Sequence, residues 1–246
     1  MEFKNDSEKE IKSMSKNKNL ITLSQQWINS AQANKYSYHF EWMGRPIIQY
    51  PQDILAMQEL IWQIQPDLII ETGIAHGGSL IFYASMLELN ALCGGPQNAH
   101  ILGIDIDIRP HNKKALKTHP MSKRVTLKQG SSIDKQIIEE VRDFAKPYKN
   151  ILVALDSNHT HEHVLAELNA YAGLVSLKSY CIVFDTIIEH LSQESIGERP
   201  WGKGNNPMTS VNEFLKTHPE FEIDEMIDAK LMISVAPKGY LKRIKE

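Results

Sequence analysis

The stretch Pro66-Asp67-Leu68-Ile69-Ile70-Glu71-Thr72-Gly73-Ile74-Ala75-His76-Gly77-Gly78-Ser79 decides the fold of this chain. Its first half is apolar and rich in β-branched residues, as in a buried strand, and it stops at Gly73. Small residues then form a tight turn, and the apolar run from Leu80 to Leu87 is typical of a helix. A strand, a tight turn and a helix in this order predict the first unit of a doubly wound α/β domain.

The glycines of this turn follow the spacing G-x-x-x-G-G, which differs from the dinucleotide fingerprint G-x-G-x-x-G. Glycines here would let a ligand approach the backbone, with the first N–H groups of the helix pointing toward it. A plain strand–turn–helix without a ligand is the alternative. Together with the preceding acid, the pattern E-x-G-x-x-x-G-G resembles motif I of class I S-adenosylmethionine (AdoMet) methyltransferases. The resemblance implies that this turn holds the amino-acid part of the cofactor through Glu71, Gly73, Ala75, Gly77, Gly78 and Ser79.

The composition is that of an ordinary globular protein, with 246 residues, 42% apolar and 23% charged. A formal net charge of −3 gives no reason to expect nucleic acid as a partner. No apolar run approaches the roughly 18 residues of a membrane span, and the N-terminus lacks the apolar region of a secretory signal. Cys93 and Cys181 lie outside any C-x-x-C pair, which predicts reduced, buried thiols in a reducing compartment. These features predict a cytoplasmic enzyme without a membrane span.

Two parts of the chain differ in character. Residues 1–20 are rich in Lys, Asn, Glu and Ser with little periodicity, which predicts a disordered or frayed N-terminus. Residues 21–246 are predicted to form a single domain that begins with an aromatic arm between Trp27 and Tyr50. The rings of this arm would pack on the core, cap a pocket or make contacts in a homo-oligomer.

Acidic residues stand at the ends of four predicted strands. These strands begin at Leu68, Ile101, Ile151 and Tyr180 and reach Glu71, Asp105, Asp156 and Asp185. Another strand, from Val125, ends in Gly130-Ser131-Ser132, and a last pair is predicted near 221–223 and 231–235. The pattern predicts a doubly wound, Rossmann-like α/β sheet, mostly parallel with a terminal antiparallel strand.

Ligands of open α/β sheets bind outside the carboxyl ends of the strands. Asp105 is therefore placed to hold a ribose hydroxyl of the cofactor, with Asp107 as runner-up, and Ser131 lies at the same edge. The simpler alternative for each strand-end aspartate is a loop cap. Four acids at one edge of one sheet nevertheless favour a binding site.

From residue 42 to residue 244, the chain resembles the cephalosporin hydroxylase family. This is a group of class I AdoMet-dependent methyltransferases, and rhamnosyl O-methyltransferases are similar to it. Besides 66–79, the matching pieces are Leu155-Asp156-Ser157-Asn158-His159-Thr160-His161, Val183-Phe184-Asp185-Thr186, Arg199-Pro200-Trp201-Gly202 and Pro237-Lys238-Gly239-Tyr240-Leu241. The resemblance implies methyl transfer from AdoMet, with Mg²⁺ as second cofactor, to a hydroxyl of a sugar, glycolipid or natural product.

The resemblance also implies a magnesium site with Asp156 and Asp185 as ligands. Members of the family can carry Glu-Asp where this chain has Phe184-Asp185, which leaves the third ligand open. A comparison with metal-dependent catechol-type O-methyltransferases nominates Thr186 or Glu189, with water completing the shell. The candidate catalytic residues are Asp156 and His159, since an imidazole can accept a hydroxyl proton at neutral pH.

The Gly- and Pro-rich loop from Gly197 to Pro207 is predicted to close over the acceptor as a lid. Its Trp201 and Lys203, together with Arg45 from the arm, are the candidate substrate contacts.

Other classes of protein remain as alternatives. A nucleotide- or NAD-binding Rossmann enzyme would use the same sheet edge but favours another glycine fingerprint, and a non-catalytic AdoMet-binding protein is the third reading. The alternating His159, His161 and His163 suggest a metal hydrolase, yet the pattern H-x-H-x-D-H requires aspartate at position 163. No clear two-His-one-carboxylate site supports an iron oxygenase.

Overall fold

The computed structural model of the chain describes residues 2–246. The strands are β1 Phe40–Trp42, β2 Arg45–Ile47, β3 Leu68–Thr72, β4 His100–Asp105, β5 Val125–Gln129, β6 Ile151–Leu155, β7 Tyr180–Val183, β8 Phe221–Ile223 and β9 Tyr240–Arg243. The helices are α1 Glu2–Met14, α2 Lys18–Ala33, α3 Pro51–Ile64, α4 Gly78–Leu92, α5 Pro110–Thr118, α6 Lys135–Ala145, α7 His161–Tyr171, α8 Gln193–Ile196, α9 Pro207–Phe214 and α10 Glu225–Leu231.

Seven strands form one sheet in the order β5-β4-β3-β6-β7-β9-β8. The first five of these run parallel, whereas β9 is antiparallel to both β7 and β8. Strand β3 lies between β4 and β6, so that Glu71 stands opposite Gly103 on one side and Ala154 on the other. The doubly wound sheet with antiparallel strands at one end is confirmed, and the ends of β3, β4, β6 and β7 meet at one edge.

Both faces of the sheet are covered by helices. Every residue of β3 and β6 is buried, as their continuous apolar runs require. Successive side chains point to opposite faces, so Ile69 joins the core under α3 and α4 while Ile70 joins the core under α6 and α7. The site edge is therefore held by a rigid, fully buried pair of strands.

The last strand lies later in the chain than predicted. The segment 231–235, predicted as the last strand, contains the end of α10 and an irregular stretch. The last strand of the sheet is instead β9, Tyr240–Arg243. Asp224 accepts a hydrogen bond from the Met226 N–H and starts a helix whose Ile227 and Leu231 pack on the core. Ile227 and Leu231 are four residues apart, a spacing that places both on one face of a helix. The chain at Leu231 therefore ends a helix instead of beginning the predicted strand.

The N-terminal 20 residues also differ from expectation, because α1 and the start of α2 are helical. Helix α1 packs against α10, and Asn17 caps α2 by accepting from the Leu20 N–H at 3.1 Å. Most of α1 is exposed, which explains why its composition resembles that of a disordered segment. None of the described helices is both long and apolar enough to cross a membrane.

The aromatic arm packs on the core and also reaches the edge of the sheet. Trp27, Tyr36 and Tyr50 make edge-to-face contacts at 4.9–5.8 Å, and the Trp42 ring meets Phe82 of α4 at 4.8 Å. The arm thereby covers the start of α4.

Candidate active site

Two glycines of the turn after β3 are required by close packing. Gly73 has φ +80°, and a Cβ there would collide with the carbonyl oxygen of Asp156. A Cβ on Gly78 would collide with the carbonyl oxygen of Pro46. The turn therefore lies against β6 on one side and against the arm on the other, which places it in the centre of the site.

The carboxylate of Asp105 holds this turn in place. One oxygen accepts from the Ile74 N–H at 2.9 Å and the Ala75 N–H at 3.4 Å, and the other accepts from the Asp107 N–H at 2.9 Å. Ala75 has φ +42°, a strained conformation for a residue with a Cβ, and Asn112 fixes its carbonyl group at 3.0 Å. Asp105 thus shapes the turn from the end of β4 and also borders a cavity there.

Glu71 lies beneath the turn and lines neither of the two cavities described below. Its carboxyl group is fully buried, and one oxygen accepts from the Ser79 hydroxyl at 2.8 Å. Burial raises the pKa of Glu71 to about 8, although the hydrogen bond from Ser79 acts to lower it. The group is therefore protonated at neutral pH. Glu71 therefore positions Ser79, and its place does not bring it to a ligand directly.

Asp156, His159 and Asp185 come together at the ends of β6 and β7. Their ligand atoms lie within 4.8 Å of one another, and His159 Nε2 is 3.1 Å from Asp185 Oδ2. Burial, then the charge of Asp185, raises the pKa of Asp156 well above its usual value. A cation between the carboxylates would relieve this repulsion, and two carboxylates with an imidazole suit a divalent metal ion such as Mg²⁺ or Mn²⁺.

The structure does not bring the nominated third ligands into this cluster. Thr186 is fully buried and donates its hydroxyl to the Pro237 carbonyl at 2.6 Å. Glu189 accepts from the Gly204 N–H at 2.9 Å and from the Asn206 amide at 2.5 Å. The third group of the cluster is His159, which the sequence nominated as a base. The Phe184 ring is buried in the core, so it leaves the three donors undisturbed.

Two neighbouring cavities meet at the turn, and they share Gly73, Ala75, Asp156 and Ser157. The first, of about 340 Å³, extends along the ends of β4 and β5 and is also lined by Asp105, Ile106, Ser131, Ser132, Asn158, His163 and Trp201. The second, of about 230 Å³, extends toward the arm and toward the cluster of Asp156, His159 and Asp185. Its lining residues include Tyr38, Gln49, Ser79, His159, Asp185 and Arg199. An extended ligand can therefore cross the turn from one cavity to the other.

The 197–207 loop is anchored to the domain. Glu189 binds two of its residues, and the Asn205 side chain accepts from the His161 N–H at 2.9 Å. These contacts hold the Trp201 ring edge-to-face against His159 at 4.8 Å, with the Arg199 guanidinium 5.7 Å from the same ring. These contacts place the loop over the cluster.

Two nominated substrate contacts lie elsewhere. Arg45 donates to the His76 carbonyl and to the Asn112 side chain, so its guanidinium joins the arm to the turn. Lys203 is exposed and lines neither cavity. Among the three candidates, Trp201 alone borders a cavity.

Sequence reasoning did not single out the polar cluster at the far end of the first cavity. His163 Nε2 lies 3.1 Å from the Ser132 hydroxyl and 3.2 Å from the Ser157 hydroxyl. Ser157 in turn donates to the buried carboxylate of Glu167 at 2.7 Å. The spacing of His163 and Glu167, four residues apart on a helix, is the signal that would have indicated a pair.

A sheet of this order, with a glycine turn after β3 and acids after β4, β6 and β7, defines the class I methyltransferase fold. Residues 34–244 match the family described as Rhamnosyl O-methyltransferase/CmcI, and the chain belongs to that family. The resemblance found from the sequence is thereby confirmed.

Curated relatives and solved structures agree with this assignment. The chain is 28% identical over 209 residues to the rhamnosyl O-methyltransferase of Mycobacterium tuberculosis, covering 82% of this chain and 77% of the relative. The Mycobacterium leprae protein of the same name is 26% identical over 204 residues, with 82% of each chain covered. In fold, a CmcI structure with Mg and SAM matches with a TM-score of 0.58 at 19% identity, over 85% of this chain and 78% of that one. A Bacillus cereus O-methyltransferase in complex with SAH matches with a TM-score of 0.52 at 12% identity, over 90% of each chain.

Proposed function

We propose that this protein transfers a methyl group from AdoMet to a hydroxyl of a sugar or natural-product acceptor, assisted by a divalent cation. The observation that carries the proposal is the position of the Asp156–His159–Asp185 cluster. Asp156 borders both cavities, so the cluster stands where a ligand along the glycine turn meets a ligand under the arm. Metal-assisted methyl transfer needs such a junction.

The cavity around the turn fits AdoMet. Gly73 and Gly77 have φ near +80°, and the α4 helix that follows has no side chain capping its first N–H groups. The residues that would hold the cofactor are those of the turn, with Asp105 at the ribose and Ser131 further along the same cavity. AdoMet supplies a sulfonium methyl group, and a bound divalent cation stabilises the negative charge that develops on the acceptor oxygen.

His159 is proposed to be the base that receives the proton of the acceptor hydroxyl. Asp185 contacts Nε2 of its imidazole at 3.1 Å, an arrangement that orients the ring. Trp201 packs against the ring and keeps water away from it. The chain's own residues therefore orient the acceptor hydroxyl, receive its proton and exclude solvent.

The acceptor is proposed to be a rhamnose unit, since the curated relatives are rhamnosyl O-methyltransferases. The second cavity is lined by apolar Ile47 and Ile188 and by polar Gln32 and Ser37. This mixture suits a deoxy sugar, which has both apolar and polar parts. The reaction is proposed to take place in the cytoplasm, because Cys93 is an exposed free thiol, as in a reducing compartment.

Methyl transfer from radiolabelled AdoMet to a panel of rhamnosides, other glycosides and phenols tests this proposal. We expect labelled rhamnoside with Mg²⁺ or Mn²⁺ and none after treatment with EDTA. Asp156→Asn should behave as the chelated enzyme does. Absence of AdoMet binding in calorimetry would refute the proposal, and binding without transfer to any acceptor would favour a non-catalytic AdoMet-binding protein.

A further inference from the structure

The stretch of chain from residue 108 to residue 133 carries positive charge and contains no acidic residue. Its lysines and arginines are Arg109, Lys113, Lys114, Lys117, Lys123, Arg124 and Lys128. The whole chain has a formal net charge of −3, so this excess of positive charge is local. A cluster of one sign on an otherwise acidic protein points to an anionic partner.

Part of this charge is neutralised within the protein. Lys123 and Arg124 both bind Glu88, at 2.9 Å and 2.7 Å, and Lys128 pairs with Glu140. The lysines of α5, in contrast, are exposed and form no ion pair with any described residue. This lysine face of α5 consists of Lys113, Lys114 and Lys117.

The buried residues of α5 decide which way the lysine face points. Asn112 and Leu116, four residues apart, are buried on the inner side of the helix, and the Asn112 amide donates to the Ala75 carbonyl at 3.0 Å. The lysines lie on the outer side, where Lys117 is three residues from Lys114 and four from Lys113. Like charges at these spacings destabilise a helix, so their gathering is best explained by a binding role.

Exposed apolar side chains flank α5 at both ends. Ile106, in the loop before the helix, is 72% exposed. Met43, at the turn between β1 and β2, is 50% exposed, and its carbonyl group accepts from the His119 imidazole at the C-terminal end of α5, at 3.0 Å. Lysines beside exposed apolar side chains are typical of a surface that lies on an anionic membrane, with the lysines among the headgroups and the apolar side chains below them.

A nucleic acid is the other large anion that such charge could attract. Proteins that hold nucleic-acid strands without reading their sequence commonly stack bases on aromatic side chains, and residues 106–119 contain no Phe, Tyr or Trp. Ile106 and Met43 gain little from a phosphate backbone, whereas a lipid interface removes them from water. The surface therefore fits a lipid better than a nucleic acid.

We infer that the lysine face of α5, with Ile106 and Met43 at its ends, docks this protein on an anionic lipid surface. The inference goes beyond the proposed function, because it concerns a surface outside both cavities' junction and requires no methyl transfer. Through Asn112 the same helix holds the glycine turn, and Arg109 lines a further cavity of about 300 Å³ beside that turn. Docking through α5 therefore brings the site edge of the sheet close to the membrane.

Sedimentation with phosphatidylcholine vesicles, made with and without phosphatidylglycerol, tests the inference. We expect the full chain to bind the vesicles that contain phosphatidylglycerol and not the neutral ones. Raising the salt from about 0.1 M to about 1 M shortens the Debye length from about 10 Å to about 3 Å and should release the protein.

The triple variant Lys113→Gln/Lys114→Gln/Lys117→Gln removes the lysine face. Its partition coefficient on anionic vesicles should fall about 100-fold, since each lysine near such a surface contributes about fivefold. Glutamine is a good helix former and the three positions are exposed, so the thermal unfolding should stay unchanged in circular dichroism.

The matched control Lys4→Gln/Lys9→Gln/Lys12→Gln changes the net charge equally on α1, where the lysines stand among acidic residues. It should lower vesicle binding by less than about threefold. Met43→Asn tests the apolar part, since asparagine tolerates the φ of +48° at this position. This variant should bind anionic vesicles about fivefold more weakly, because less apolar surface is buried.

Several results would overturn the inference. Absence of binding to phosphatidylglycerol vesicles at low salt refutes it, and equal binding to neutral vesicles shows that charge is not the cause. Equal losses in the two triple variants would assign the effect to net charge and not to α5. Binding of tRNA in a gel shift, stronger than vesicle binding and lost in the α5 variant, would make this a nucleic-acid surface. Should that variant fail to fold, the lipid and salt dependence of the wild type decides the question.

Discussion

The acids of β3 and β4 accept hydrogen bonds from the protein's own donors, whereas those that follow β6 and β7 face each other. Glu71 accepts from Ser79, and Asp105 accepts from three backbone N–H groups. Asp156 and Asp185 have only His159 between them. The first pair therefore shapes a loop, and the second pair is left with charge for a cation to neutralise.

The difference shows that four acids at one sheet edge divide into two kinds of site. Asp105, with its three N–H partners, is satisfied by the fold and acts on a ligand mainly through the backbone it holds. Two carboxylates facing each other raise the free energy of the folded protein until a cation or proton arrives. The five predictions below test this division, from the largest expected effect to the smallest.

Asp185→Asn should abolish metal-dependent methyl transfer, lowering the rate by a factor of about 1,000 or more, as expected when a metal ligand is lost. AdoMet affinity should stay within about threefold of the wild-type value, because Asp185 does not line the larger cavity. Activity assays with a Mg²⁺ titration and calorimetry measure both effects. Asp143→Asn, on the exposed face of α6, is the control, and activity that persists after exhaustive chelation would contradict the metal role.

Glu71 should make the stability of the ligand-free protein depend on pH. Its folded pKa of about 8 exceeds the ordinary value of 4.5, so its contribution to stability is fully present below pH 4.5 and is lost as pH rises through 8. The loss between pH 4.5 and pH 7 is about 3 kcal/mol. Denaturant unfolding of the wild type and of Glu71→Gln gives the free energy of unfolding at each pH in this range. The difference between the slopes of the two plots against pH measures the loss. Equal slopes would show that Glu71 is ionised in the folded protein.

His159→Gln should lower the methyl-transfer rate about 100-fold, the effect of removing a general base. If His159 is the base, the Mg²⁺ dissociation constant, measured by titration, should change less than threefold. His161→Gln is the matched control, because that imidazole bonds to Thr209 and Glu213 and lines neither cavity. A large loss of metal affinity in His159→Gln would instead assign His159 as the third ligand.

Asp105→Asn should weaken AdoMet binding about tenfold. The amide of asparagine has one acceptor oxygen and cannot serve the backbone N–H groups of both Ile74 and Asp107. Calorimetry with AdoMet measures the change, and Asp107→Asn, at an exposed side chain, is the control. Unchanged affinity would mean that the turn keeps its shape without Asp105.

Trp201→Ala should lower turnover about fivefold by admitting water beside His159, while the particle mass stays constant in light scattering. Trp62→Ala, at a half-exposed tryptophan of α3, should leave turnover unchanged. A change of mass on Trp201→Ala would make this loop an oligomer contact.

The sequence by itself determined the fold class, the glycine turn, the strand-end acids and the family. These features are local: a short strand that begins with three apolar residues, a turn that only glycine can make at Gly73, and an acid near the end of the strand. They can be recognised within a few residues of chain because their physical causes act over that range.

The tertiary structure decided which of those acids a ligand can reach. Asp105 is bound by N–H groups 30 and 31 residues earlier in the chain, and Thr186 turns away to a carbonyl 51 residues later. Arg45 is likewise held by His76 and Asn112, and Gln49 is left facing a cavity without a partner. Hydrogen-bond partners of polar side chains come from distant segments, so their availability follows from the packing of the whole domain and not from local sequence.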